Sequence, residues 1–315
     1  MKIVIPGGSG QIGTVLARHF QAAGHDVVVL SRKPTQAPWR TVAWDARSAG
    51  DWCGEIDGAD VVINLAGRSV DCRYNAANRK LITDSRVDST RAVGDAITLA
   101  ARPPRVWLQM STATIYQHTF DAPQDEATGM LGVRPEEPDT WHFSFGVATA
   151  WEEAADAFDL PTTRTVLLRS AMMMSPDRGG VFDVLLGLVR KRLGGRAGSG
   201  RQFVSWIHDR DFIAAIEFLI ERDDLAGPVN LAAPNPLPNA EFMAALRTAA
   251  NVRLGFPATA WMIELGAIVL RTESELILKS RRVVPGKLSN AGFEFEKPTW
   301  PQAAADLVER WNKAR

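Results

Sequence analysis

Apolar runs and amphipathic stretches alternate along the first half of the chain. KIVIP (residues 2–6) is a short apolar run closed by a glycine turn, and GTVLARHFQAAG (13–24) follows with helical periodicity. VVVLS (27–31) and VVINLAG (61–67) are further runs rich in β-branched residues, as expected of strands buried on both faces. Residues 76–101 have helical spacing and stop at Pro103-Pro104, through which no helix continues. RVWLQMST (105–112) and TRTVLLRSAMMM (163–174) read as two more strands, and DFIAAIEFLIE (211–221) as an amphipathic helix. This order predicts an α/β fold, a Rossmann-type doubly wound parallel sheet with helices on both faces.

Beyond about residue 175 the alternation loosens. RGG (178–180) and LGGRAGSGRQ (193–202) are glycine-rich loops, AAPNPLPN (232–239) is a proline-rich turn, and helical patterns follow in 239–250 and 261–270. We expect a nucleotide-binding domain over 1–175, with 203–231 returning to it. A smaller substrate lobe is expected from 176–202 and 232–315.

Composition narrows the function classes. The chain has 315 residues, 46% of them hydrophobic, so a large core can form. Lys plus Arg and Asp plus Glu are both 36, and this zero balance argues against nucleic-acid or membrane-surface binding. Two cysteines, Cys53 and Cys72, are too few for a disulfide framework and point to a reducing, cytoplasmic setting. The apolar stretch 257–270 carries Glu264 and is too short to span a bilayer; a helix packed on a core or a homodimer face is expected there. No histidine pair has metal-ligand spacing, and no G-x-S-x-G elbow occurs.

PGGSGQIG directly follows a strand and opens a helix, with Gly7, Gly10 and Gly13 spaced G-x-x-G-x-x-G. In that context the first glycine permits a tight turn, the second lets backbone approach a pyrophosphate, and the third lets helix pack on strand. Gln11 and Ile12 lie in the first helical turn, whose free amides face the anion. The second strand ends in Ser31, Arg32 and Lys33 with no acid. A carboxylate there would repel a 2′-phosphate, whereas Arg32 binds one with paired hydrogen bonds. The expected cofactor is NADP.

These residues carry a resemblance to a known family. GGSGQIG, VVINLAG (61–67), RKLITDSRVDSTRAV (79–93), GSGRQFVSWIHDRDFIAAI (198–216), GPVNLAAPNPLPNAEF (227–242) and VVPGKLSNAGFEFEKPT (283–299) resemble the extended short-chain dehydrogenase/reductases. Within them, the chain is similar to the branch of epimerase family proteins that ends in a domain of unknown function. The resemblance implies an NADP-binding Rossmann domain and a substrate lobe, and names no substrate. It implies that Leu65, Ala66 and Gly67 form the turn beside the cofactor, and that Trp44 and Asp45 lie near the adenine. Arg86 is implied on the helix behind the nicotinamide half, unless it serves only a surface ion pair. The chain departs from the pattern at Pro6 (usually Thr), Tyr74 (usually Trp) and Gln117 (often Gly).

Enzymes of this superfamily use a tyrosine and a lysine four residues apart, the lysine lowering the phenol pKa. Neither tyrosine here, Tyr74 or Tyr116, has that lysine, and the aligned positions hold Ser144 with Ala148, or Phe145 with Thr149. The helix beginning near HFSFGVATAWEE is therefore expected to pack beside the nicotinamide without supplying an acid or base. Ser111 and Thr112 keep the hydroxyls that relatives place at the substrate carbonyl. Tyr116 is the first candidate acid, its alternative being a pocket-wall aromatic. Tyr74 and the stretch 198–209, with Gln202, Ser205 and His208, are expected to line the substrate pocket, although His208 could instead make a structural hydrogen bond. Two functions stay open: an NADP(H)-dependent oxidoreductase or epimerase-like enzyme acting on an unknown small molecule, or a non-catalytic dinucleotide-binding sensor or interaction protein.

Overall fold

The structure is a computed structural model that describes residues 1–270 and 273–314. Its strands are β1 (Lys2–Pro6), β2 (Asp26–Ser31), β3 (Arg40–Ala43), β4 (Val61–Asn64), β5 (Val106–Thr112), β6 (Arg164–Ser170), β7 (Met172–Met174), β8 (Phe203–Val204), β9 (Trp206–His208), β10 (Gly227–Leu231) and β11 (Leu237–Pro238). Its helices are α1 (Gln11–Ala22), α2 (Cys53–Ile56), α3 (Ala76–Leu99), α4 (Asp139–Asp156), α5 (Val181–Arg190), α6 (Asp209–Glu221), α7 (Asn239–Ala249), α8 (Ala260–Leu270), α9 (Glu275–Leu278), α10 (Gly286–Asn290) and α11 (Trp300–Lys313).

Among the described residues, seven strands form one sheet in the order β10-β6-β5-β4-β1-β2-β3, and every neighbouring pair is parallel. The pleat sends alternate residues to opposite faces. Ile3, Ile5, Val27 and Val29 pack on one side with Leu16 and Phe20 of α1 and Phe212 and Ile216 of α6. Val4, Val28 and Leu30 pack on the other with Val93 and Ile97 of α3. Continuous apolar strands are what a sheet covered on both faces needs. Each fully buried aliphatic side chain there contributes about 1.5–3 kcal/mol. Strand order reverses between β1 and β4, so a crevice opens at the carboxyl edge between them, where ligands bind in such sheets.

Two strand readings need correction. The run 163–174 is not one strand: β6 ends at Ser170, and β7 leaves to pair with β9, Met173 facing Ile207. Strand β3 pairs with β2 but is only partly buried, so RTVA shows no apolar run to announce it. After β7 a second core forms around Phe182, Leu186, Trp206, Phe242, Leu307 and Trp311. In it the Phe242 and Trp300 rings stack at 3.9 Å. On α8, Ile263 and Ala267 are buried while Trp261 and Leu265 are exposed. Among the described residues no helix is long and apolar enough to cross a membrane.

Candidate functional site

The glycine turn after β1 is a tight weld between three strand ends. The Gly7 amide donates to the Leu30 carbonyl at 2.9 Å, and the Leu65 amide to the Pro6 carbonyl at 2.8 Å. Gly7 has φ +74°, and a Cβ there would stand 2.6 Å from the Ala66 Cα, so only glycine fits. Gly13 would drive a Cβ into the Gly8 backbone, which is why α1 can lie so close to β1. At Gly10, by contrast, a Cβ would meet nothing nearer than 3.8 Å. Gly10 caps α1 without a side-chain hydrogen bond, so the amides of Gln11, Ile12 and Gly13 remain available to an anion. The buried Gln11 Nε2 has no hydrogen-bond partner and reaches to Gly180. An unfilled donor beside a cradle of amides fits a dinucleotide phosphate.

The far end of the cradle fits as well. Ser31 is buried, its hydroxyl 3.3 Å from the Ser9 hydroxyl, while Arg32 and Lys33 are exposed at the end of β2. The Trp44 amide donates to the Ser31 carbonyl at 3.3 Å. Trp44 is buried against Trp52. The Asp45 carboxylate accepts from the Arg47 and Ser48 amides at 2.8 and 2.9 Å. The Ser48 hydroxyl and these amides hold its pKa below the usual range. On the other side of the turn, Asn64 is fully buried and accepts from the Ala66 amide at 3.1 Å, fixing Leu65, Ala66 and Gly67. Arg86 packs against Gly67.

A cavity of about 120 Å³ opens at the carboxyl end of β5, lined by Tyr74, Arg86, Thr112, Ser144, Glu275 and Arg281 among others. Tyr74 lies just before α3, at whose start Asn75 accepts from the Asn78 amide. The Ser144 hydroxyl, on α4, donates to Glu275 Oε2 at 2.6 Å, and a hydrogen bond with Ser144 eases the upward shift of the Tyr74 phenol. Burial, then the Glu275 charge, push the Tyr74 phenol up to about 12. Helix α4 thus gives the cavity a hydroxyl as well as an apolar wall, through Val147 and Trp151. Phe145 and Ala148 pack elsewhere, against Ile115 and Tyr116.

Several sequence candidates lie outside this cavity. Tyr116 is 2% exposed; its hydroxyl donates to Asn230 Oδ1 and accepts from Arg169 Nη1, both at 3.0 Å. The Ser111 hydroxyl donates to Glu152 Oε1 at 2.6 Å, and Arg169 grips the same carboxylate with Nε at 2.9 Å and Nη2 at 2.8 Å. Tyr116 and Ser111 therefore belong to a buried polar network under the sheet edge, and Thr112 alone of the three reaches the cavity. Gln202 Nε2 donates to the Ala197 carbonyl at 2.8 Å, and the Ser205 hydroxyl to the Arg281 carbonyl at 2.5 Å. His208 is fully buried. Its Nδ1 accepts from the Arg210 amide as the cap of α6, and its Nε2 meets Asp306 Oδ2 at 3.0 Å. Burial lowers its pKa. These three fix chain segments rather than line the cavity, as their closed hydrogen bonds require. Ser144 stood among the aligned positions, but Glu275 and Arg281 were missed. Their only signal was two charges six residues apart near apolar chain.

Comparison with known proteins agrees with this architecture. Residues 3–232 match the NAD dependent epimerase/dehydratase family, and residues 258–307 match a domain of unknown function, DUF1731. The human epimerase family protein SDR39U1 is 31% identical over 313 residues, covering 98% of this chain and all of that protein. A Staphylococcus epidermidis epimerase family protein is 29% identical over 309 residues, covering 98% and 99%. The crystal structure of human SDR39U1 with NADPH superposes with a TM-score of 0.85 at 28% identity, over 98% of this chain and 99% of that one. MoeE5 in complex with UDP-glucuronic acid and NAD shares the fold, with a TM-score of 0.77 at 18% identity over 100% and 99% of the two chains. With its parallel sheet, glycine cradle and C-terminal segment all accounted for, the chain belongs to the NAD dependent epimerase/dehydratase family.

Proposed function

We propose that the chain is an NADP(H)-dependent oxidoreductase or epimerase-like enzyme of the short-chain dehydrogenase/reductase type, acting on a small molecule. The observation that carries this is the cavity itself, where Thr112, Ser144 and Tyr74 place three hydroxyls at the carboxyl edge of the sheet. The NADPH held by the human relative supports the choice of cofactor. So do the exposed Arg32 and Lys33 at the end of β2, which suit a 2′-phosphate. Gly7, Gly10, Gln11, Ile12 and Gly13 would hold the pyrophosphate, Trp44 and Asp45 would flank the adenine, and Leu65 to Gly67 would run beside the nicotinamide half. The bound cofactor would supply or take up a hydride.

The protein's own part is the proton. Tyr74 neighbours Ser144, whose hydroxyl donates to Glu275, and the three serve as a proton chain. When an alcohol is oxidised, its proton passes to Tyr74 as Tyr74 gives its own to Ser144 and Ser144 gives its own to Glu275. Reduction of a carbonyl reverses the shift. The chain does the work of the missing tyrosine–lysine pair without a lysine, and Thr112 orients the reacting oxygen.

The test is turnover of Tyr74→Phe with NADPH and a panel of ketones, aldehydes and sugar nucleotides. Loss of a general acid costs about 10²–10⁴-fold in rate, with NADPH affinity kept. Unchanged turnover would remove Tyr74 from the reaction. No turnover by the parent protein on the whole panel, with NADPH still bound, would favour a dinucleotide-binding sensor instead.

A further inference from the structure

The cavity collects more positive charge than it balances. Arg86 makes its two hydrogen bonds from Nη1, to the Arg68 and Ile82 carbonyls at 3.0 Å each. Its guanidinium lies 4.8 Å over the Trp151 ring and, among the described residues, forms no ion pair with a carboxylate. Arg281 comes from the segment after α9, with 13% of its side chain exposed and its Nη2 3.6 Å from Glu275 Oε1. Its buried Nε has no hydrogen-bond partner. Lys279, fully buried, lies 3.8 Å from the same oxygen and donates to the Thr114 carbonyl at 3.1 Å. Burial draws Arg86 down to about 10 and Lys279 down to about 8. Glu275 is the only carboxylate among the described lining residues. Its Oε2 is taken by Ser144, and its Oε1 has no hydrogen bond.

Two guanidiniums thus share one carboxylate in the cavity lining, with the Lys279 ammonium 3.8 Å from its Oε1. A cation withdrawn from water without a counter-ion is costly, and among the described lining residues Glu275 alone supplies negative charge. The cavity is also smaller than the roughly 150 Å³ that admits benzene, so its occupant has only a few heavy atoms. We propose that the cavity is a carboxylate site taking the acid end of a short-chain oxo or hydroxy acid. Arg281 and Arg86 anchor the carboxylate, and Thr112 and Tyr74 face the neighbouring oxygen. The identity of the reacting oxygen rests on the function proposed above; the charge argument does not.

Carboxylate and phosphate oxygens share this chemistry, and a cofactor phosphate is the other source of it. Calorimetric titration of the full chain with 2-oxobutanoate, with and without saturating NADP+, separates the two, and 2-butanone serves as the neutral control. The acid should bind in both arms, at least tenfold more tightly than the ketone. Arg281→Gln should weaken acid binding about tenfold or more, the scale of a lost charge-assisted hydrogen bond, with NADPH affinity unchanged. Glu275→Gln removes the competing carboxylate and should strengthen acid binding, which a merely structural residue would not do. It also keeps the test alive should Arg281→Gln not fold. Equal binding of acid and ketone, displacement of the acid by NADP+, or weaker binding in Glu275→Gln would each overturn the proposal. Failure of NADPH to bind while the acid still does would overturn the cofactor reading and leave this one standing.

Discussion

A Cβ on Gly7 would lie 2.6 Å from the Ala66 Cα, so the first and fourth strands approach at a point where no side chain can enter. Gly10, three residues on, faces open space. The two glycines should therefore fail differently. Gly7→Ala should lower stability by about 1–3 kcal/mol, the scale of a strained left-handed non-glycine residue, and should lose NADPH binding with it. Gly10→Ala should melt like the parent protein yet bind NADPH more weakly, because its methyl stands where the anion approaches. Thermal melts paired with fluorescence titration distinguish the two, and equal melting temperatures for both variants would contradict the packing at Gly7.

The network beneath the cavity makes a second prediction. Glu152 accepts from Ser111 and from two nitrogens of Arg169, all buried. Arg169→Ala leaves that carboxylate without its cation and should cost about 3–5 kcal/mol in urea unfolding. Tyr116→Phe strands Asn230 Oδ1 and should cost about 1–3 kcal/mol, with turnover unchanged. A large loss of turnover without loss of stability in Tyr116→Phe would return Tyr116 to the reaction.

Stability should also depend on pH through the cavity. Lys279 sits at about 8 in the folded protein, below its usual 10.5. The unfolded chain therefore binds the extra proton between those values, and stability rises as pH climbs from 8 to 10.5. Tyr74 sits at about 12 against its usual 10. The folded protein keeps that proton longer, and stability falls above pH 10. Urea unfolding at pH 7, 8, 9 and 10 should show the rise, and Lys279→Met should flatten it. A parallel curve for the variant would remove Lys279 as its source.

The sheet and the cradle were legible because each is local. An apolar run and a glycine spacing lie within ten residues of one another, and the physics of β1, its turn and α1 is written there. The family resemblance likewise rested on contiguous stretches, and the match over residues 3–232 bears it out. The cavity was not legible, because its residues converge across the chain: Ser144 meets Glu275 over 131 positions. Tyr74 was expected at the substrate pocket and does line the cavity, but its place there came from the family pattern and not from any local spacing. Tyr116 was put forward because a phenol four residues past a strand end resembles a catalytic one. Only the tertiary structure shows Arg169 and Asn230 closing around its hydroxyl.

The cradle should hold NADP(H), with Arg32 reading its 2′-phosphate. Fluorescence titration of NADPH and NADH against the parent protein and Arg32→Glu tests it most directly. The parent should bind NADPH more tightly than NADH. A charge-assisted bond contributes about 1.5–3 kcal/mol, so Arg32→Glu should weaken NADPH at least tenfold while NADH changes far less. Equal loss for both cofactors would contradict the account.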